Sequence, residues 1–279
     1  MNQETQRHEI TKKKLVYQIP GMDAVTIRRD AEYRATEAGA LTMDLYYPPD
    51  SNSEARVPAV VFVGGYPDPG VQKVLGCKMK EMESYVSWGQ LVAASGLVAC
   101  AYTTGKEPAT DLHALLQTLR QNSADWGIDE NRIGVWACSG NVPNALSFLM
   151  QEAREYLKCA VLCYGWMLDL DGYAHMAEAA KRLGFVNPCA GKSVEDLPRD
   201  TPLFIARAGR DEIPHLNETL DRFLGKALTC NLPVSFVNHA EAPHAFDVLH
   251  DSQTSREIIR QILAFMRFHL LEQEHNGPA

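Results

Sequence analysis

The chain has 279 residues, a formal net charge of −8, and is 46% hydrophobic and 22% charged. The apolar share excludes a disordered chain, and 35 acidic against 27 basic side chains argue against a nucleic-acid binder, whose surface is basic. No apolar run approaches the ~20 residues needed to cross a bilayer, so no membrane partner is expected. The first residues, MNQETQRHEITKKK, lack the apolar core of a secretory signal. Seven cysteines, an odd number without a Cys-x-x-Cys pair, fit a reduced cytoplasmic chain. Cys100, Cys159 and Cys163 lie in or beside apolar runs and read as small core residues.

Taken in chain order, Glu32–Thr36 and Leu41–Tyr47 flank Glu37-Ala38-Gly39-Ala40 and predict an antiparallel hairpin on a sheet edge, ending at Pro48-Pro49. Six short apolar runs follow: Ala59–Val63, Leu97–Tyr102, Ile133–Cys138, Ala160–Tyr164, Leu203–Ala208 and Val234–Val237. They are continuous rather than alternating, as in parallel strands buried on both faces. Helical stripes lie between them. Leu112, Leu115, Leu116 and Leu119 form one, with Thr110 placed as its N-cap. Asn144 to Met150 is apolar around much of its circumference and predicts a buried helix. Leu216, Leu220, Phe223, Leu224 and Ala227 form another stripe, and Ile258 to Leu270 closes the chain in a helix beginning near Ser255.

Strand alternating with helix predicts right-handed crossovers and an α/β fold: a doubly wound, mostly parallel sheet flanked by helices, in one domain over 1–279. The longest interval between strands holds 167–201, more than one crossover helix needs. It contains a helical pattern at Tyr173–Leu183 and a turn at Asn187-Pro188, and reads as a small helical cap over the carboxyl edge of the sheet.

The stretch Arg132-Ile133-Gly134-Val135-Trp136-Ala137-Cys138-Ser139-Gly140-Asn141-Val142-Pro143 joins a buried strand to a helix, with Pro143 suited to the first helical turn. A serine on such a turn points out of the sheet, and the helix N-terminus behind it favours developing negative charge. Small residues are needed two before and two after it. Ala137 fits; Asn141 is larger than the usual glycine but tolerates left-handed backbone. Cys138 is a rival nucleophile, though Trp136 would then fill one small position. Ser139 as a plain N-cap serine is the structural alternative.

A serine hydroxyl needs a base, and the base an orienting carboxylate. Asp211 follows the strand Leu203–Ala208, with Glu212, Asp169 and Asp171 as rivals. His244 lies in the loop before the last helix, with His239 and His250 as rivals. The order Ser139, Asp211, His244 places all three in loops at the carboxyl ends of strands. An oxyanion hole would take one N–H from Gly140 and another from Gly65 or Tyr66, in the loop after Ala59–Val63. Tyr164, Trp166 and Met167 end or follow a strand at the same edge and line a substrate pocket or pack under the cap.

Together these residues resemble the α/β-hydrolase superfamily, in its dienelactone hydrolase-like and carbohydrate-esterase-like branch. The resemblance runs from Leu41-Thr42-Met43-Asp44-Leu45-Tyr46-Tyr47-Pro48 to the last helix. It rests also on Val61-Phe62-Val63-Gly64-Gly65-Tyr66, the Arg132–Gly140 elbow and Pro243-His244-Ala245-Phe246-Asp247. Three positions depart from it: dienelactone hydrolases carry cysteine where Ser139 stands, many esterases of the group carry histidine where Val63 stands, and Asn141 replaces a glycine. The resemblance implies a serine esterase with a catalytic triad that cleaves carboxylic esters of small or medium substrates through an acyl-enzyme. A monomer or a homodimer is expected. It implies no metal and no organic cofactor. A lactonase or peptidase on the same triad, or a binding protein that keeps the fold without catalysis, are the alternatives.

Overall fold

A computed structural model describes residues 7–49, 56–151 and 155–272; the rest of the expected 1–279 domain lies outside the described residues. The chain opens on a strap, residues 8–19, that crosses the molecule in extended form after one 3-10 turn, Glu9–Lys12. It is tied to distant parts of the chain. The His8 amide donates to Leu75 O (3.0 Å), Leu15 N to Ser87 Oγ (3.1 Å) and Val16 N to Asp247 O (2.9 Å), while Arg256 Nε donates to Val16 O (3.1 Å).

The edge hairpin is β1 (Thr26–Thr36) and β2 (Gly39–Tyr47), followed by β3 (Val57–Phe62). Then come α1 (Asp68–Leu75), α2 (Glu83–Ala94), β4 (Val98–Tyr102) and α3 (Pro108–Gln121). The centre of the chain is β5 (Ile128–Cys138), α4 (Val142–Leu149) and β6 (Leu157–Cys163). The remainder is α5 (His175–Leu183), β7 (Leu203–Ala208), α6 (Leu216–Thr229), β8 (Val234–His239), α7 (Phe246–Leu249) and α8 (Gln253–Leu271). The eight strands make one sheet in the order β1-β2-β4-β3-β5-β6-β7-β8; β3 to β8 run parallel, and β1 and β2 are antiparallel additions. This is the α/β architecture that the alternation predicts.

Each strand feeds two cores because its side chains alternate between faces. On β5, Val135 joins α3, α4 and α6 on one face, and Trp136 joins α2 and α8 on the other. Helix α3 begins at Pro108, not beyond Thr110. The proline's fixed φ suits the first helical turn, so the helix starts earlier, with Glu107 preceding it and making no side-chain cap.

Between α1 and α2, a 3-10 turn over Met79–Glu81 is pinned to the hairpin by Lys80. The Lys80 ammonium, 4% exposed, lies 2.6 Å from both Asp30 Oδ1 and Asp44 Oδ1. Among the described residues no helix is long and apolar enough to cross a membrane.

Candidate active site

Strand β5 ends at Cys138, Ser139–Asn141 form one 3-10 turn, and α4 follows with Pro143 in its first turn. Ser139 sits at φ 53°, a left-handed conformation that costs a non-glycine residue about 1–3 kcal/mol unless its surroundings impose it. Here the buried strand before it and the packed helix after it impose the turn, and Ser139 O accepts a hydrogen bond from Trp166 N (3.2 Å). Asn141 has φ −84°, so the side chain expected to tolerate left-handed backbone is not used that way.

The loop after β7 and the loop after β8 run against each other. Gly209 N donates to His239 O (2.9 Å) and Arg210 N to Ala242 O (2.8 Å). A Cβ on Gly209 would lie 2.5 Å from Ala240 O, so only glycine permits this approach. The approach brings Asp211 to His244. His244 Nδ1 is 2.6 Å from Asp211 Oδ2, and His244 Nε2 is 2.9 Å from Ser139 Oγ. Asp211 Oδ1 accepts the Ile213 amide (3.0 Å), so both carboxyl oxygens have partners and the side chain is fully buried. The Tyr164 ring meets the imidazole edge to face at 5.0 Å and backs it.

The rival residues are engaged elsewhere. Glu212 is exposed. Asp169 accepts the Met176 and Ala177 amides at the start of α5, and Asp171 faces Arg222 (3.8 Å). His239 is buried against Ser255 (3.1 Å), and its neighbour His250 faces the same serine. The Cys138 sulfur meets Tyr85 Oη (3.9 Å) and Asn141 Nδ2 (3.8 Å) rather than an imidazole. Burial pushes its thiol up to about 12, which suppresses the nucleophilic thiolate.

Of the three expected oxyanion donors, Gly65 is corrected. Its amide donates to Asn141 Oδ1 at 2.7 Å, a bond between side chain and loop that strand-and-turn reasoning did not foresee. The Tyr66 amide has no partner among the described residues, and Gly140 directly follows Ser139. The Tyr66 phenol faces Ser139; burial pushes it up to about 12, and the serine hydroxyl partly opposes that shift. Phe185 of the 167–201 segment packs edge to face on Tyr66 (5.7 Å), and Val186 N donates to Gly65 O (2.8 Å).

A cavity of about 250 Å³ opens beside Ser139 and His244. Tyr164 lines it, but Trp166 and Met167 do not. Both are fully buried in the core on the other side, where Trp166 stacks on Phe185. Following the same strand end does not place two residues on the same side of it. The cavity walls come instead from the strap, α1, the Met79–Glu81 turn and α2, and no residue of the 167–201 segment lines this cavity.

Asp247, which sequence reasoning passed over although it closes the Pro243–Asp247 stretch, lies at the cavity's edge. Its oxygens accept from Tyr164 Oη (2.7 Å) and Trp88 Nε1 (2.8 Å); burial raises its carboxyl pKa, and these two bonds partly counter that. Away from the cavity, His175, His215 and Glu218 gather at the starts of α5 and α6. The two imidazoles stack in parallel at 3.7 Å and 8°, so an ion in the plane of one ring lies out of the plane of the other. As placed, the pair does not fit a shared metal.

No family model matches the chain, and no curated protein matches it. Solved structures do. Thermogutta terrifontis esterase 2 in its native form is 19% identical, with TM-score 0.64 over 91% of this chain and 97% of that one. The same esterase phosphoramylated by tabun gives 18% identity and TM-score 0.63 over 93% and 98%. Its propionate-bound form gives 19% and 0.63 over 92% and 98%. The likeness extends over nearly the whole of both chains, and with the strand order and the elbow it establishes that the chain has the α/β-hydrolase fold.

Proposed function

We propose that the protein is a serine hydrolase of carboxylic esters that works through an acyl-enzyme, with Ser139, His244 and Asp211 as its triad. The observation that carries the reading is the imidazole of His244 held between the Ser139 hydroxyl (2.9 Å) and the buried Asp211 carboxylate (2.6 Å). The naming of the structural neighbours as esterases, one of them phosphoramylated, agrees with it.

In this mechanism His244 takes the Ser139 proton as Oγ attacks the ester carbonyl. Asp211 keeps Nδ1 protonated and stabilises the imidazolium that forms. The amides of Gly140 and Tyr66 receive the tetrahedral oxyanion, and the helix start behind them adds to the field. His244 then protonates the departing alcohol. In the second half it activates water, which releases the acid and restores Ser139. These steps require no metal or organic cofactor. The substrate is a small-molecule ester, and the setting is the cytoplasm.

A fluorophosphonate probe and p-nitrophenyl butyrate test the reading together. Wild type is expected to be labelled and to hydrolyse the ester, and Ser139→Ala to do neither. Labelling or turnover that persists in Ser139→Ala overturns it.

A further inference from the structure

We propose that the cavity beside Ser139 is an acyl pocket selective for a bulky, uncharged acyl group, aryl or medium-chain, and that the N-terminal strap supplies one of its walls through Ile10. The proposal rests on the esterase reading above.

Size is the first argument. The cavity measures about 250 Å³. An apolar cavity of roughly 150 Å³ holds one benzene, so this one has room for a benzoyl group or a chain on the order of eight carbons. An acetyl group would leave most of it unfilled and forgo the apolar contact that strengthens binding.

The lining is the second. Ile10, Val71, Leu75, Met79 and Met82 line the cavity together with the indoles of Trp88 and Trp136. Methionine adapts its shape, which suits chains and rings alike. The lining contains neither Lys nor Arg. Its buried carboxylate, Asp247, already receives Tyr164 and Trp88 and offers nothing to an anion. A carboxylate on the acyl group would be desolvated there without a Lys or Arg to pair with and beside the Asp247 carboxyl.

Position assigns the limb. Cys138 directly precedes the nucleophile and Trp136 lies three residues before it on the same strand, so the cavity reaches beneath Ser139. The alcohol has to depart after the first step, whereas the acyl group stays bonded to Ser139 until water arrives. A pocket floored by buried indoles suits the group that stays. The strap is a built wall: His8 N bonds Leu75 O at the end of α1, and Thr11 Oγ1 donates to His8 O (2.7 Å), holding the turn that carries Ile10.

The test compares p-nitrophenyl acetate, octanoate, benzoate and hemisuccinate on wild type, Ile10→Trp and Ile10→Ala, with Ser139→Ala as control and thermal melts for folding. In wild type, octanoate and benzoate are expected to exceed acetate in kcat/KM by about tenfold or more, within the range that added methylenes produce, with hemisuccinate the slowest. Ile10→Trp should lower octanoate turnover about tenfold relative to acetate turnover, and Ile10→Ala should shift the preference toward longer acyl groups. If Ile10→Trp does not fold, Val71→Trp on α1 fills the same space.

Ser139-dependent hydrolysis with acetate as good as octanoate, or equal losses on all esters in a folded Ile10→Trp, overturns the pocket alone. If the variant instead changes the preference between octyl acetate and ethyl acetate, the acyl assignment is overturned. Absence of any Ser139-dependent hydrolysis overturns the triad reading and the pocket with it.

Discussion

The side-chain oxygen of Asn141 accepts the Gly65 amide at 2.7 Å while its nitrogen donates to the Tyr85 hydroxyl at 3.0 Å, so one buried amide clamps the loop after β3 to the elbow. The loop can come this close because a Cβ on Gly65 would lie 2.6 Å from Gly140 O. Asn141 thus consumes one amide and thereby positions the next, that of Tyr66. Asn141→Gly is expected to lower kcat about tenfold with a smaller change in KM, since a loosened donor loses transition-state binding first. Asn141→Asp should fall further, because the carboxylate cannot donate to Tyr85 and is buried without a cation. Steady-state kinetics on the two variants, with urea midpoints alongside, check both.

In the proposed triad, Asp211, 2.6 Å from His244 Nδ1, is the group that fixes the imidazole tautomer. Asp211→Asn preserves the shape but can present a donor to Nδ1, which favours the wrong tautomer. The expected loss in kcat is about 10³–10⁴-fold, with the urea midpoint nearly unchanged. A loss under about tenfold would return the orienting role to another carboxylate.

Cys138 adjoins Ser139, the proposed nucleophile, yet should be inert. Because burial raises its pKa to about 12, the thiol stays protonated as pH rises through the working range, and thiolate accumulates only near that value. Iodoacetamide at pH 8 is expected to leave esterase activity intact, and Cys138→Ala to remain active. Inactivation at pH 8 that Cys138→Ala abolishes would show the opposite.

Lys80 bridges two aspartates at 2.6 Å, and Asp44 is almost wholly buried. Among the described residues, Lys80→Met leaves the buried Asp44 carboxylate with only the exposed Arg29 guanidinium (3.6 Å) as a cation. Breaking a buried pair by removing one partner costs about 3–5 kcal/mol, and the urea midpoint should fall accordingly. Adding Asp44→Asn should recover part of the loss, because the stranded charge is then gone.

The sheet was legible because burial on both faces writes continuous apolar runs; β7 has the predicted bounds, Leu203–Ala208. The first half of β1 was not, since Thr26 to Asp30 are largely exposed and carry no apolar pattern. Helix α1 hides behind Pro67-Asp68-Pro69-Gly70, residues that read as a turn. Ser139, Asp211 and His244 were legible because each follows a readable strand, and strand ends converge on one edge. Trp166 and Met167 share that edge, but which side of the sheet they enter depends on the bend at Tyr164, φ 36°, and not on sequence distance. The Gly65 bond to Asn141 spans 76 positions and leaves no local trace. The same holds for Ile10, whose place in the cavity lining beside residues of α1 and α2 is set by pairings of the strap with α1 and α7.

Those pairings also set an order of assembly. Val16 donates to Asp247 and accepts from Arg256, a residue 240 positions later. On a growing chain, the strap is made well before Asp247 and Arg256, two of its docking partners. Until they emerge, Leu15 has no complete core to enter, and the space beside Ser139 lacks one of its sides. The strap is therefore among the last segments to settle, and a chain stopped short of residue 247 would present an elbow without an enclosed pocket.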